Sequence, residues 1–510
     1  MNHSLRPILI LLTGLVPLCC FATETQRPNI VFILCDDLGY ADVGFGAKVV
    51  GEAREISPDT PNLDTLARNG MVCTNAYIPH PFCGPSRMGI LTGRYPHHFG
   101  GSKNLPNEAT FRPSQEVRKK YGYEAANSLG IPASEVTFAK VLNQAGYHTG
   151  QIGKWHCGLG DHSTPLAVGF DYQFGMLGGG HSYYSDGWIP KEKAKNDYQF
   201  YLTRNEVTVA PEPGKYLTDV LSQDAVQFIR QAPKNKPFML FLAYNAPHAP
   251  LQGKKEDLIH RFGGDGENES YTKEQITHAM VYAVDRGVGD IVAALNEKEI
   301  LKDTLIVFQS DNGGKEGEDE NQADNGRLKG GKGDVYDGGV RTPMFIHYPK
   351  QIAAGSVYNH PVYPYDLFPT FARLGHATDK IPSGKKLSGV DLWDGLKANA
   401  AVHTKDTVFW VRHNGGANDV GMRLGNFKAT RRNNGRWSLY DFESDLSESN
   451  DVLSSENVEI LDEMLRQGNR WKEDGVDPLW HDTDAGYVRW NEMKMPNYDK
   501  SFSRRPLLRK

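Results

Sequence analysis

Four stretches of this chain share one grammar: a short apolar run, then chemically capable side chains at its C-terminal end. Asn29-Ile-Val-Phe-Ile-Leu34 is followed by Asp36 and Asp37, and residues 147–152 by Lys154 and His156. Phe238-Met-Leu-Phe-Leu-Ala243 precedes Asn245 and His248, and Leu305-Ile-Val-Phe308 precedes Asp311 and Asn312. Runs that are continuous rather than alternating predict strands buried on both faces, as in a parallel sheet covered by helices. Helical patterns fill the intervals: 60–70, opened by Thr60-Pro61; 137–145, stopped by Gly146; and the longer 216–231 and 273–295. Strands alternating with helices predict an α/β sandwich, whose ligand crevice lies outside the carboxyl ends of the strands. The four polar ends are therefore expected to converge in space, although they run from Asp36 to Asn312.

Near residue 400 the pattern changes. Residues 407–411, 420–424, 427–430 and 437–440 read as short strands separated by turns, and 455–474 as a helix, which predicts a small C-terminal α+β subdomain. The expected division is 1–22, a leader; 23–400, the catalytic α/β domain; and 401–510, the α+β subdomain. Two glycine- and acid-rich stretches, 263–268 and 313–326, read as surface loops.

Residues 1–22 have the layout of an export signal: Arg6 supplies charge, Ile8 to Leu18 is apolar, and Cys20-Phe21-Ala22 resembles a small-x-small cleavage site. The apolar run is too short to span a bilayer comfortably, and no other segment is long and apolar enough to cross one. An exported chain, periplasmic or secreted and without a membrane span, is expected. Lipoprotein anchoring at Cys19 or Cys20 is the weaker alternative, since Val16-Pro17-Leu18 is a poor lipidation box. The net charge of -5 offers no global attraction to nucleic acid, so an anionic ligand needs positive charge gathered in a cleft. Beyond the leader only Cys35, Cys73, Cys83 and Cys157 remain; no disulfide framework is expected, and all but Cys83 read as buried free thiols.

The polar ends carry recognisable chemistry. Asp36, Asp37, Asp311 and Asn312 offer hard oxygen donors of the kind magnesium and calcium select, whereas no cysteine–histidine spacing suggests zinc. Taken singly, such Asp-Asp and Asp-Asn pairs are usually turn residues; their position after buried strands argues otherwise. Gly153-Lys154-Trp155-His156 presents a cation and an imidazole two positions apart, and Pro247 and Pro250 flank His248. Gly330-Gly331-Lys332-Gly333 presents Lys332 on a glycine-rich loop that lacks the Lys-Ser/Thr ending of a phosphate loop.

One further motif sets the reaction. Cys83-Gly84-Pro85-Ser86-Arg87, followed by Thr92-Gly93-Arg94, places a thiol at what reads as a helix start, where free amides and the helix dipole favour an anion. Alone, such a cysteine is equally a redox or structural thiol. Together with Asp-Asp, Gly-Lys-Trp-His, Ala-Pro-His, Asp-Asn-Gly-Gly and Gly-Gly-Lys-Gly in that order, from about Pro28 to Pro343, it resembles the signature of the type I, formylglycine-dependent sulfatases; Leu439-Tyr440-Asp441 resembles part of that family's C-terminal domain.

The resemblance implies an alkaline-phosphatase-like sandwich with a large, mostly parallel sheet, and a small C-terminal α+β subdomain. It implies calcium, or alternatively magnesium, held by Asp36, Asp37, Asp311, Asn312 and the modified Cys83. It also implies that a formylglycine-generating enzyme converts Cys83 to formylglycine (3-oxoalanine), whose diol Arg87 holds. Lys154 and Lys332 would clamp sulfate oxygens, His248 would protonate the leaving alcohol, and His156 would take the second diol proton. His181 or Ser182 would lie near the sulfate. Arg94, His97 and His98 follow the signature helix and read either as pocket-lining residues or as exposed polar residues of a loop. A sulfated saccharide is the implied substrate, for a carbohydrate or polysaccharide sulfatase. The alternatives are a phosphomonoester or phosphodiester hydrolase of the same superfamily, and a sulfated-glycan-binding pseudoenzyme with unmodified Cys83.

Overall fold

A computed structural model describes residues 27–51, 56–106, 129–317, 322–414, 417–481, 484–492, 498 and 500–505. The expected leader, 1–22, lies outside the described residues. The first four apolar runs form strands β1 (Asn29–Asp36), β3 (His148–Lys154), β7 (Phe238–Pro247) and β8 (Thr304–Ser310). Shorter strands join them: β2 (Met71–Cys73), β4 (Tyr172–Met176), β5 (Leu202–Arg204), β6 (Val207–Val209), β9 (Phe345–His347) and β10 (Ser356–Tyr358). The ten make one sheet in the order β10-β2-β9-β8-β1-β7-β3-β4-β5-β6. Its centre, from β8 to β4, is parallel, and antiparallel pairs appear toward the edges.

Both faces of that centre are covered. On β1, Ile30, Phe32 and Leu34 belong to one apolar cluster while Val31, Ile33 and Cys35 belong to another, which is why the run never alternates with polar residues. Helices Cys83–Thr92, Phe138–Gln144 and Leu367–Leu374 pack on the first face; Pro61–Arg68, Leu217–Gln231 and Lys273–Glu297 pack on the second. The longest of these, Lys273–Glu297, starts with a capping box in which Thr272 and Gln275 satisfy each other's backbone amides. Among the described residues no helix is long and apolar enough to cross a membrane.

A second sheet, four-stranded and antiparallel, comprises β11 (Val408–Asn414), β12 (Ala417–Leu424), β13 (Phe427–Arg431) and β14 (Trp437–Asp441). Helix Val458–Trp471 packs against it. This sheet is tied to the large domain at buried points. The indole of Trp410 donates to the Ile78 carbonyl at 2.7 Å. Lys428 pairs with Asp337 at 2.6 Å and with Glu448 at 3.2 Å, all three side chains being fully enclosed. Among the described residues Cys35, Cys73, Cys83 and Cys157 are buried and free.

The reading of 313–326 as a surface loop needs correction at 313–314 and 323–325, while Glu316 and Gly317 between them are exposed. Gly313, Gly314, Ala323, Asp324 and Asn325 are buried. The Asn325 amide donates to the Gly314 and Gly330 carbonyls at 3.0 and 3.2 Å, and its oxygen accepts from the Gly314 amide at 3.0 Å. A side chain that satisfies so many backbone groups lets a glycine-rich segment be buried without orphaned polar atoms.

Candidate active site

The carboxyl ends of β1, β3, β7 and β8 meet in one crevice. Asp36 closes β1, and Asp37 follows in a left-handed conformation with φ of 61°. Lys154 closes β3. Before it, Gly153 has φ of +101°, and a Cβ there would meet the Ala243 carbonyl oxygen at 2.0 Å, so glycine alone lets β3 run this close to β7. His156 lies two residues past β3 with φ of 56°, so a turn, not strand alternation, aims its ring. Asp311 and Asn312 follow β8, and a Cβ on Gly313 would strike the Gly338 carbonyl oxygen at 1.8 Å. That contact presses the Lys332 loop onto the strand end. The Lys332 amide donates to the Gly314 carbonyl at 3.0 Å, and the Gly333 amide to Pro81 at 2.8 Å.

Cys83 is the first residue of helix Cys83–Thr92, every residue of which is buried. Phe82 is extended, and Gly93, left-handed at φ of 64°, ends the helix through its amide to the Gly89 carbonyl. The Gly84 amide, one of the unpaired donors of the first turn, is met by the Asn104 side-chain oxygen at 3.1 Å.

Three carboxylates face three cations in this crevice. Arg87 Nε donates to Asp311 Oδ2 at 2.6 Å and Arg87 Nη1 to the Lys154 carbonyl at 2.9 Å. Lys154 Nζ pairs with Asp36 Oδ2, and Lys332 Nζ lies 2.7 Å from Asp37 Oδ1. Burial works against the charge on Asp37, yet Lys332 and His248 outweigh it and hold the carboxyl well below its usual range. Burial likewise opposes charge on Lys154 and Lys332, but Asp36 and Asp37 respectively keep both ammoniums above their ordinary value. Asp311 goes the other way: burial, then the charge of Asp36, push it up to about 7 despite Arg87. His156 is pushed well below its ordinary value by burial and by Lys154. Burial also lowers His248. The His248 Nδ1 faces the Ala249 carbonyl at 2.6 Å; a carbonyl only accepts, so Nδ1 carries the hydrogen and Nε2 is the atom turned to Asp37, 3.7 Å away.

The pairing leaves a pattern of unmatched oxygens. Asp36 Oδ1, Asp311 Oδ1 and Asn312 Oδ1 are buried with no hydrogen-bond partner, while the second polar atom of each residue is engaged. Asp36, Cys83 and Asp311 place ligand atoms within 4.8 Å of one another, and so do Asp36, Asp37 and His248. Buried acceptors without donors are costly unless something positive meets them. A hard, oxygen-preferring divalent cation fits this donor set.

Beside these groups opens a pocket of about 260 Å³, whose lining includes Cys83, His156, His248 and Lys332 together with Asn104, Leu159, Leu177 and Tyr198. The structure thus gathers Asp36, Asp37, Cys83, Arg87, Lys154, His156, His248, Asp311, Asn312 and Lys332 into one neighbourhood. It does not bring the remaining expected residues to the pocket lining. Arg94 pairs with Glu135 at 2.6 Å. His97 is buried with Nε2 2.8 Å from the Val411 carbonyl, and both His97 and His98 pack against Trp471 of the C-terminal helix. His181 is buried with its two ring nitrogens 2.8 and 2.7 Å from the Ser182 and Phe200 carbonyls, and Ser182 Oγ donates to the Tyr198 carbonyl. These two brace the segment that carries Tyr198.

Sequence reasoning missed Asn104, Tyr198 and Arg412. Arg412, on β11, donates to the Gly333 carbonyl at 2.6 Å, and its guanidinium lies 4.9 Å from the ring centroid of Phe82. One side chain of the small sheet therefore touches the neighbours of both Lys332 and Cys83. No local motif flags any of the three; only the tertiary contact does.

Comparison with known proteins identifies the family. Residues 28–377 match the family model described as Sulfatase, and 331–473 match N-sulphoglucosamine sulphohydrolase, C-terminal. The chain is 33% identical to N-acetylgalactosamine-6-sulfatase of Rattus norvegicus over 425 residues, covering 80% of this chain and 72% of that protein. It is 30% identical to steryl-sulfatase of Homo sapiens, covering 72% and 69%. Among solved structures, Ps i-CgsB in complex with k-i-k-neocarrahexaose superposes with a TM-score of 0.83 at 39% identity, covering 94% of this chain and 100% of that one. Its fold is accordingly that of alkaline-phosphatase-like sulfatases, and this chain belongs to the sulfatase family as a sulfuric ester hydrolase.

Proposed function

We propose that the protein removes sulfate from a sulfated glycan, using Cys83 converted to formylglycine beside a bound calcium ion. The observation that carries this reading is the set of three unmatched buried oxygens, from Asp36, Asp311 and Asn312, with Asp36 and Asp311 grouped within 4.8 Å of Cys83, the residue at a helix start that also lines the open pocket. Support for a glycan comes from relatives named for carbohydrate substrates and from a neighbour whose bound ligand is an oligosaccharide. Export, and maturation by a formylglycine-generating enzyme, belong to the same proposal.

In the structure Cys83 is an unmodified cysteine, and its Sγ stands in for the hydroxyls of hydrated formylglycine. That group would supply a nucleophilic hydroxyl and a second hydroxyl through which sulfate is later expelled. Calcium, held by Asp36, Asp37, Asp311 and Asn312, would supply Lewis-acid stabilisation of charge on the sulfate oxygens. The chain's own residues do the rest. Arg87, fixed by Asp311 and the Lys154 carbonyl, is rigidly placed four residues along the helix from Cys83. Lys154 and Lys332 face negative charge that grows on the sulfate in the transition state, where preorganised cations act most strongly. His248 turns Nε2 toward Asp37, lines the pocket, and is the acid for the departing alcohol; burial lowers its pKa in the free protein, and the arriving ester anion favours its protonation. His156, kept neutral by burial and Lys154, suits the base that takes a proton from Cys83's modified side chain.

The test is Cys83→Ser against wild type from a host that carries the maturation enzyme, assayed on nitrophenyl sulfate, nitrophenyl phosphate and a panel of sulfated oligosaccharides. Sulfate turnover in wild type, its loss in Cys83→Ser at unchanged Tm, and an aldehyde-bearing Cys83 peptide by mass are expected. Normal activity in Cys83→Ser, or faster release of phosphate than sulfate, refutes the reading.

A further inference from the structure

Beyond the sulfate pocket, across Leu159 and Leu177, lies a second cavity of about 260 Å³; those two leucines line both. Its floor is rigid. Gln173 is buried and its amide donates to Thr203 Oγ1 at 3.0 Å, while Thr164 Oγ1 donates to Glu206 Oε1 at 2.6 Å. Its rim carries three exposed charged residues, Asp161, Lys191 and Glu206. Lys191 begins a short helical turn, Lys191–Lys193, and its ammonium sits 5.7 Å from the ring centroid of Phe200.

The two cavities are also linked through the chain. The excursion from Lys191 to Phe200 contributes Lys191 to the second cavity and Tyr198 to the sulfate pocket. Its ends are joined by a bridge between Ile189 and Phe200, and the Ile189 amide donates to the Gln199 carbonyl at 2.7 Å. His181 Nε2 reaches the Phe200 carbonyl from beneath, so the excursion is anchored rather than loose.

We propose that this cavity is a subsite for the neighbouring residue of an acidic glycan, in which Lys191 pairs with a second sulfate or carboxylate and Asp161 and Glu206 accept sugar hydroxyls. The inference rests on the sulfatase reading of the adjoining pocket. A pocket of about 260 Å³ is small for a ligand site, so a chain whose sulfated ring fills it must continue over its wall. The Leu159–Leu177 wall gives the apolar face of a sugar ring something to lie on, and the charged rim beyond reads its polar edge. A carboxylate or sulfate meeting an ammonium contributes on the order of a tenfold change in affinity, because the hydrogen bond is charge-assisted.

The experiment compares wild type, Lys191→Ala and Lys193→Ala on nitrophenyl sulfate and on a disaccharide carrying a sulfate on each ring. Lys193 is exposed on the same turn and lines neither cavity, so it controls for diffuse attraction. In Lys191→Ala the ratio of the disaccharide KM to the nitrophenyl sulfate KM is expected to rise about tenfold, and to lose most of its salt dependence. In Lys193→Ala that ratio stays at the wild-type value. An unchanged ratio in Lys191→Ala, or an equal rise in both variants, overturns the subsite while leaving the sulfatase reading intact. A wild type that hydrolyses neither ester overturns both.

Discussion

Asp311 makes an unusual demand on the metal-free protein, and Asp311→Asn exposes it. The carboxyl is fully enclosed, 2.6 Å from Arg87, yet burial and the neighbouring Asp36 charge raise it from 3.8 to about 7. That rise corresponds to roughly 4 kcal/mol of disfavoured ionisation. A carboxyl whose folded value lies above its unfolded one contributes its full stability below pH 3.8 and loses it as pH rises through about 7. Wild type in a chelator should therefore fall in stability across this window relative to Asp311→Asn, because the amide keeps an acceptor for Arg87 but cannot ionise. At pH 8 the variant is expected to be the more stable of the two, by up to ~4 kcal/mol and by several degrees in Tm. Calcium closes the gap: binding at 100 times its Kd adds about 2.7 kcal/mol to wild type, and at 1,000 times about 4.1 kcal/mol, but little to a variant lacking one ligand charge. The assay is thermal unfolding of both proteins from pH 4 to 8, with chelator and with calcium. A variant no more stable than wild type in chelator at pH 8, or one that calcium stabilises equally, refutes the account of Asp311 as a carboxylate strained to hold a cation.

Two other substitutions probe the chemistry. His248→Ala should cost about 10²- to 10⁴-fold in kcat on a saccharide sulfate but much less on nitrophenyl sulfate, whose leaving group needs no proton; equal losses argue against its acid role. Arg412→Ala should lower kcat roughly ten- to hundredfold with little change in KM, since it lets the Lys332 and Cys83 loops drift rather than removing a binding group, and Arg412→Lys should recover only part; a pure KM effect would contradict this.

What the sequence made legible follows from physics that acts locally. A strand covered on both faces must be apolar at consecutive positions, so β1, β7 and β8 declared themselves, and the crevice at their carboxyl ends followed from connectivity alone. The short strands β2, β4, β5, β6, β9 and β10 did not, because three to five residues carry no period that distinguishes a strand from a loop. The buried ends of the 313–326 stretch, Gly313-Gly314 and Ala323 to Asn325, were read as surface loop for a related reason. Glycines that lie against other backbone look, in sequence, like glycines in solvent, and the Asn325 side chain together with backbone partners from the Lys332 loop satisfies them on burial. His97 and His181 show the opposite failure: imidazoles near a signature motif invite a role, while their carbonyl partners at Val411 and Phe200 are set by tertiary structure.

The ion pairs in the crevice imply one more property. Lys154 is engaged by Asp36 and Lys332 by Asp37, so the two cations proposed to clamp sulfate are paired with carboxylates proposed to hold the metal. Three carboxylates against three cations leave no net attraction for an anion there. A dication held by Asp36, Asp37 and Asp311 would compete with the lysines for those carboxylates and would make the site positive by two charges. Metal and sulfate should then bind with positive coupling, and linkage requires each to raise the affinity of the other by the same factor. Titration calorimetry of inorganic sulfate, with and without calcium, measures that factor directly, without turnover. At least a tenfold tightening is expected in calcium, with Lys332→Ala losing most of it; sulfate that binds equally well to the chelated protein would show that Lys154 and Lys332 are free to receive it without the metal, contrary to their pairing with Asp36 and Asp37.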